Sequence, residues 1–519
     1  MAQTQDNSND GKREPESLKE TLISIIIAFA LAFVGRSYVI EPFVIPTGSM
    51  APTLNGAHMR FHSPASGFEW AANPRDYTGD GRPYSVQGAR RSGEPITVTG
   101  PLSHIEQSEF DVPLRAGDRI LVLKYLYAIL EPTRFDVVVF KNPEKPQENF
   151  IKRLVALPNE EVWLSDGDLF VRKPDSTDEA ERAWRVQRKP RRVQNEVWWP
   201  VFSSEYAPLD PSLLGATWRP PWSGEGWNTD GLSYRSDTAS PGDLEWDTNR
   251  WPITDYTPYN EPVRTQRRIE NFPVSDVRMR LGVEPDDAGL RAAATLFARQ
   301  HVFQAELIGD AVTIQMRPED DPNWTTLATG DFRGFTPGRV TDIEFSHVDQ
   351  ALEVRINGKR VAHATYDWTP MERLTWATNE NAESNRGLPL ADADSYIEPQ
   401  LRWSFDGSPV TLYRVGLDRD LHWRTDRDTS GYNRASTPGT TFTLGDDQFF
   451  MLGDNSPSSR DSRMWNVVDP WVAATMDDRI GVVPRELMMG KAFFVYFPAP
   501  HQNLGPVPVP DFGRLRFIK

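Results

Sequence analysis

From Thr21 to Val34 the chain carries no charged residue, and Tyr38-Val39-Ile40 resume the apolar character after Arg36. A helix over the uncharged stretch would reach about 20 Å, short of a bilayer core of roughly 30 Å unless its flanks contribute. Lys19 and Arg36 can extend that reach by snorkelling. A cleaved secretory signal has an apolar region of similar length, but no small-x-small site with a polar break follows; the chain runs directly into Glu41-Pro42-Phe43-Val44-Ile45. A buried core helix is the other reading, and an all-round apolar surface at a polar N-terminus is unusual for one. The pattern predicts a polar tail over 1–17 and an uncleaved transmembrane anchor over 18–40. Lys12, Arg13 and Lys19 lie on the N-terminal side of the uncharged stretch and only Arg36 on the other, which places the N-terminus in the cytoplasm and the rest outside the inner membrane.

Beyond the anchor the period changes from helical to strand-like. Gly117–Lys124, Phe135–Phe140, Phe449–Leu452 and Ala492–Phe497 are short, β-branched or aromatic runs with turn-like borders, and they predict an antiparallel β body built from distant pieces, 41–172 and 445–519. A stretch at about 55–116 interrupts the first piece. A much larger insertion covers 173–444. Its first half, with Trp198-Trp199-Pro200, Pro220-Pro221-Trp222 and Trp246, shows weak periodicity. These tryptophans could bind carbohydrate, sit at a membrane interface or pack beneath loops. In the second half Leu352, Val354 and Ile356 alternate with Glu353 and Arg355, and Asn357-Gly358 supplies a type I′ hairpin turn. With Val277–Leu281, Val312–Met316, Ile343–Phe345 and Val410–Val415, a β-sandwich is expected over about 270–425. The predicted fold class is mainly β.

Length and charge narrow the rest. A chain of 519 residues suggests about three units. A net charge of −16 argues against a nucleic-acid partner. Cysteine is absent, so neither disulfides nor thiolate-bound zinc can staple a domain. Ser63-Pro64-Ala65-Ser66-Gly67 has the outline of a zinc knuckle with both thiols replaced, but five small residues make a weak pattern and an ordinary turn is the favoured reading. No EF-hand or phosphate-binding loop is present, and no metal or cofactor is implied.

Candidate chemistry lies in three segments: Ile45–Leu54 with Gly48-Ser49-Met50, Phe150–Pro158 with Lys152, and Gly453–Arg463. A serine hydroxyl needs a neighbouring base, and a lysine can be one only when neutral. Its usual pKa is about 10.4, which burial lowers. Phe150, Ile151, Leu154 and Val155 could provide such burial, although the alternation along this strand leaves open which face is covered.

Together, in this order behind an anchor, the three segments resemble the motif set of type I signal peptidases. The resemblance covers about Leu18–Leu54, Gly117–Arg172 and Gly445–Pro498. It implies Ser49 as nucleophile and Lys152 as general base. It implies Thr47, with the Ser49 N–H, as oxyanion donor, Ser459 as the serine orienting the lysine, and Asp461 and Arg463 as a supporting ion pair. Phe43, Ile45, Met50, Leu54, Phe150 and Ile151 match positions lining the pockets for small substrate residues. Ser456-Pro457-Ser458 departs from the charged, proline-free run of many relatives, which leaves the lysine's serine partner open. Asp454 and Asn455 are expected only to shape a turn. The implied function is a membrane-bound serine endopeptidase that cleaves signal peptides from exported preproteins after small-x-small sites. The rivals are a Ser/Lys peptidase with another protein substrate, or an anchored binding protein on a degenerate peptidase scaffold. Within the insertion, Ile343–Val361 resembles the back-sheet hairpin of concanavalin/laminin-G-like jelly rolls, and a ligand or partner for such a sandwich is possible.

Overall fold

The structure, a computed structural model, describes residues 18–34, 39–74, 96–109, 112, 114–124, 126–209, 218–260, 271–378, 390, 392–425, 427, 428, 431–500 and 509–519. The expected tail over 1–17 lies outside the described residues. Helix α1 spans Leu18–Val34, with Ile26 and Phe29 among its exposed apolar side chains. Among the described residues, no helix is long and apolar enough to cross a membrane. The expected span of 18–40 is corrected at its far end, because Ile40 is already paired as a strand residue with Leu123.

The strands of the catalytic candidate are β1 (Ile40–Val44), β2 (Arg119–Lys124), β3 (Val137–Asn142), β4 (Lys145–Ala156), β5 (Gln448–Leu452), β6 (Val483–Pro484), β7 (Met488–Phe497) and β8 (Arg516–Phe517). They form one antiparallel sheet in the order β1-β2-β7-β3-β4-β5-β6, with β8 also on β7. Strand β7, from the C-terminal region, thus lies between β2 and β3. Alternation sorts the side chains of β3 to two cores. Val137 and Val139 pack with Ile45, Met50, Leu54, Ile120 and Ile151, whereas Val138 and Phe140 pack with Leu154, Met451 and Trp465. Ser63–Gly67 forms the turn between the paired strands His58–His62 and Glu69–Ala72.

The insertion builds two seven-stranded antiparallel sheets. The sandwich draws on strands well before residue 270: Trp199–Ser203 and Ser233–Ser236 join one sheet, Trp222–Ser223 and Gly242–Trp246 the other. Trp222, Trp246, Trp251 and Trp403 are buried in its core. Asn357 and Gly358 both have positive φ, as the expected hairpin turn requires.

A buried charge cluster fastens the sandwich to the hairpin that follows β4. Arg299 pairs with Asp166 at 2.6 Å and with Asp276 at 2.7 Å. Arg373 meets Asp168 at 2.9 Å, and Lys189 meets Asp349 at 2.5 Å and Asp420 at 2.8 Å. Burial pushes the Asp168 and Asp420 carboxyls up, Asp420 to about 6, whereas Asp276 is held well below the usual range by Arg299 and Arg373 against its own desolvation. Removing one partner of such a cluster strands buried charge. Arg299→Met is expected to cost about 3–5 kcal/mol in urea unfolding; an unchanged unfolding midpoint would show that the cluster does not hold the two parts together.

Candidate active site

The chain leaves β1 and turns through Ile45–Asn55 before doubling back. Asp118, at the start of β2, closes this loop. Its backbone carbonyl accepts from the Ile45 N–H at 2.9 Å, its N–H donates to Asn55 O at 2.9 Å, and its carboxylate accepts from the Asn55 N–H at 3.0 Å. Glycine is needed at two close approaches. A Cβ on Gly117 would lie 1.8 Å from Ile45 O, and one on Gly48 would lie 1.9 Å from the Tyr259 ring. Ala51 and Leu54 donate back to Gly48 O and Met50 O, so Ser49 sits within a wound, rigid turn.

Strand β4 passes beneath this turn in register with β3, Lys152 opposite Val138. The Lys152 Nζ donates to Ser49 Oγ at 2.7 Å, and lies 5.1 Å from the centre of the Phe150 ring. Lys152 is 4% exposed and Ser49 8%. Burial lowers the Lys152 pKa from 10.5 to about 8; Asp461 and Asp454 pull it upward, and Arg463 pushes it down. The face left open by the alternation is therefore covered, and the surface alternative for this lysine does not occur.

The remaining expected residues fall at different distances from this pair. Asp461 and Arg463 form a bidentate, fully buried pair at 2.9 Å, and Asp461 also accepts from the Gly453 N–H at 3.0 Å. Ser459 is buried, and a Cβ on Gly453 would meet both its Oγ and Ser49 O. Its Oγ has no hydrogen-bond partner, so the expected bond to Lys152 is not made in this arrangement. Thr47 is exposed on the same turn as Ser49. Ile45, Met50, Leu54 and Ile151 join one buried cluster with half-buried Phe43 against it, whereas Phe150 packs in the other with Phe140 and Trp465.

Two residues expected only to shape a turn do more. Arg153 Nε and Nη2 donate to the Asp454 carboxylate at 2.8 and 2.6 Å. The Asn455 N–H donates to Ser49 O at 3.0 Å and its side-chain amide to Gly48 O at 2.9 Å. Asn455 thus holds the peptide groups on both sides of Ser49. The Gly453-Asp454-Asn455 run was the available signal, but Asp and Asn serve turns so often that it reads as geometry alone.

A cavity of about 400 Å³ is lined by His104, Trp199, Tyr256 and Arg419 and lies apart from all these residues. Asp168, Asp276, Asp349 and Asp420 are close enough together to ligate a cation, but Lys189, Arg299 and Arg373 already serve them.

The family described as signal peptidase, peptidase S26, matches residues 18–69, 97–202 and 348–497. Signal peptidase I of Pseudomonas aeruginosa is 34% identical over 109 residues, 21% of this chain and 35% of that protein. Signal peptidase I of Rickettsia typhi is 26% identical over 165 residues, 32% of this chain and 47% of that protein. Signal peptidase I of Aquifex aeolicus is 44% identical over 52 residues, 10% of this chain and 20% of that protein. The chain therefore spans less than half the length of each of these relatives. Among solved structures, the carbohydrate binding module CBM66 from Bacillus subtilis covers 38% of this chain and 95% of its own at 11% identity, with a TM-score of 0.21, too low to carry the fold.

A lysine whose folded pKa is depressed opposes folding below that pKa, and the opposition fades as pH rises from about 8 to 10.5. Lys152→Met keeps the stem without the charge. At pH 7 it is expected to be more stable than the wild type by on the order of 1–3 kcal/mol in denaturant unfolding, with the difference shrinking as pH rises above about 8 and gone beyond about 10.5.

Proposed function

The chain belongs to the signal peptidase family, peptidase S26, and from that membership we propose that it is a membrane-bound serine endopeptidase removing N-terminal signal peptides from exported preproteins. The observation that carries the reading is the 2.7 Å contact between a buried lysine of lowered pKa and the Ser49 hydroxyl. Neutral Lys152 accepts the Ser49 proton as Oγ attacks the scissile carbonyl carbon. The oxyanion of the tetrahedral intermediate is met by the Ser49 N–H and the hydroxyl of Thr47, an exposed residue of the same turn. The lysine ammonium gives its proton to the departing amine, leaving an ester on Ser49. Lys152 then deprotonates the water that hydrolyses this ester. Ser459, buried and without a partner, supplies the hydroxyl that steadies the lysine as it turns.

The substrate adds as an extended strand beside the segment leading to Ser49, with small residues at the first and third positions before the cut. Phe43, Ile45, Met50, Leu54, Phe150 and Ile151 supply the apolar surroundings of those positions. Helix α1, about 25 Å long, is exposed along an apolar surface and forms the core of a single anchor. The N-terminus then lies in the cytoplasm and the catalytic body on the far side of the inner membrane, where the apolar segment of a preprotein is also embedded.

Two measurements follow. The detergent-solubilised wild type should cut a preprotein after Ala-x-Ala, with kcat/KM rising as pH increases through about 8, because the neutral lysine is the active form. Ser49→Ala and Lys152→Ala should each lower kcat by about a thousand-fold or more. Cleavage of equal rate by either variant would end this assignment.

A further inference from the structure

Residues 203–347 lie outside the part of the chain that matches the family, yet one turn from that stretch reaches the nucleophile. Pro258–Asn260 form a single 3-10 turn, all three residues buried. The Tyr259 ring lies flush against Gly48, and its hydroxyl donates to Ala57 O at 3.1 Å. Asn260 and Asn455 exchange side-chain hydrogen bonds: Asn260 Nδ2 donates to Asn455 Oδ1 at 2.6 Å, and Asn455 Nδ2 donates to Asn260 Oδ1 at 2.9 Å. Ser458 Oγ also donates to Asn260 Oδ1, at 2.9 Å.

The consequence follows from peptide geometry. Gly48 C=O and Ser49 N–H belong to one planar unit and point in opposite directions. By holding Gly48 O, Asn455 aims the Ser49 N–H. An asparagine amide can hold a carbonyl only with its nitrogen toward it, and Asn260 fixes that orientation by donating to the Asn455 oxygen. Asn260 itself is 3% exposed, so water does not compete for these bonds.

Resting on the peptidase reading, we infer that Asn260 is a positioning residue for the oxyanion donor. The insertion thus completes the catalytic site, acting through Asn455 on the Ser49 N–H. Tyr259 sets the distance at which the inserted turn docks.

The test is a double-mutant cycle in the full-length, detergent-solubilised protein. Asn260→Ala is expected to lower kcat about ten-fold or more while KM stays within about two-fold, since only the transition state carries the oxyanion. Asn455→Ala should lose at least as much, and Asn260→Ala should add nothing in the Asn455→Ala background. Unfolding midpoints fix the folded fraction, and Asn260→Ser serves if Asn260→Ala does not fold. The Ser49 amide resonance should shift in Asn260→Ala, a readout independent of turnover. Additive losses, an unchanged kcat or an unmoved Ser49 amide would each overturn the inference. If the wild type cleaves no preprotein, the peptidase reading fails on its own, and the amide resonance still decides whether Asn260 aims the turn.

Discussion

A lysine ammonium taken out of water is unstable, and the rest of the site depends on how that instability is managed. Two carboxylates, Asp461 and Asp454, are near enough to raise the Lys152 pKa. Each is neutralised by its own buried guanidinium, Asp461 by Arg463 and Asp454 by Arg153. Their pull on the lysine is therefore largely spent, and desolvation prevails. Were either arginine absent, the stranded carboxylate would favour the charged lysine and oppose its use as a base. The ion pairs behind Ser49 and Lys152 thus protect the lysine from their own acidic members while holding the loop at Gly453.

Position comes from the order of the sheet. Strand β4 lies between β3 and β5: Lys152 is paired with Val138 on β3, and the next residue, Arg153, with Leu452 on β5. Strand β5 leads into the loop whose Asn455 holds the Ser49 turn. Asp118 closes the base of that turn from β2. Ser49 is consequently held by segments that are hundreds of residues apart in the chain, and the inserted sandwich is tied to them by both the Arg299–Asp166 pair and the Asn260–Asn455 exchange. The inserted region is thus fastened to the rest at two places.

What the sequence disclosed follows from what is local. The strands of the catalytic sheet and the Asn357-Gly358 turn carry their signal in consecutive residues, and Ser49 and Lys152 lie in compact motifs. The extent of the sandwich was harder to see, because Trp222–Ser223 and Trp199–Ser203 are too short to show a period of two. Trp222 is a core residue and Trp199 lines a cavity, and the aromatic character of either alone also suits ligand or membrane contact. The boundary at 40 was blurred because Ile40 continues an apolar run while pairing as a strand. Asn260 gave no signal at all: its partner is 195 positions away, and nothing in a Pro-Tyr-Asn tripeptide announces a carbonyl clamp.

The central claim is that Lys152 is a buried base of lowered pKa joined to Ser49. The most direct measurement is an NMR titration of the Lys152 side chain in the folded, lysine-labelled protein, assigned by its loss in Lys152→Met. A midpoint near 8 is predicted; a midpoint near 10.5, the value of a solvated lysine, would contradict the account.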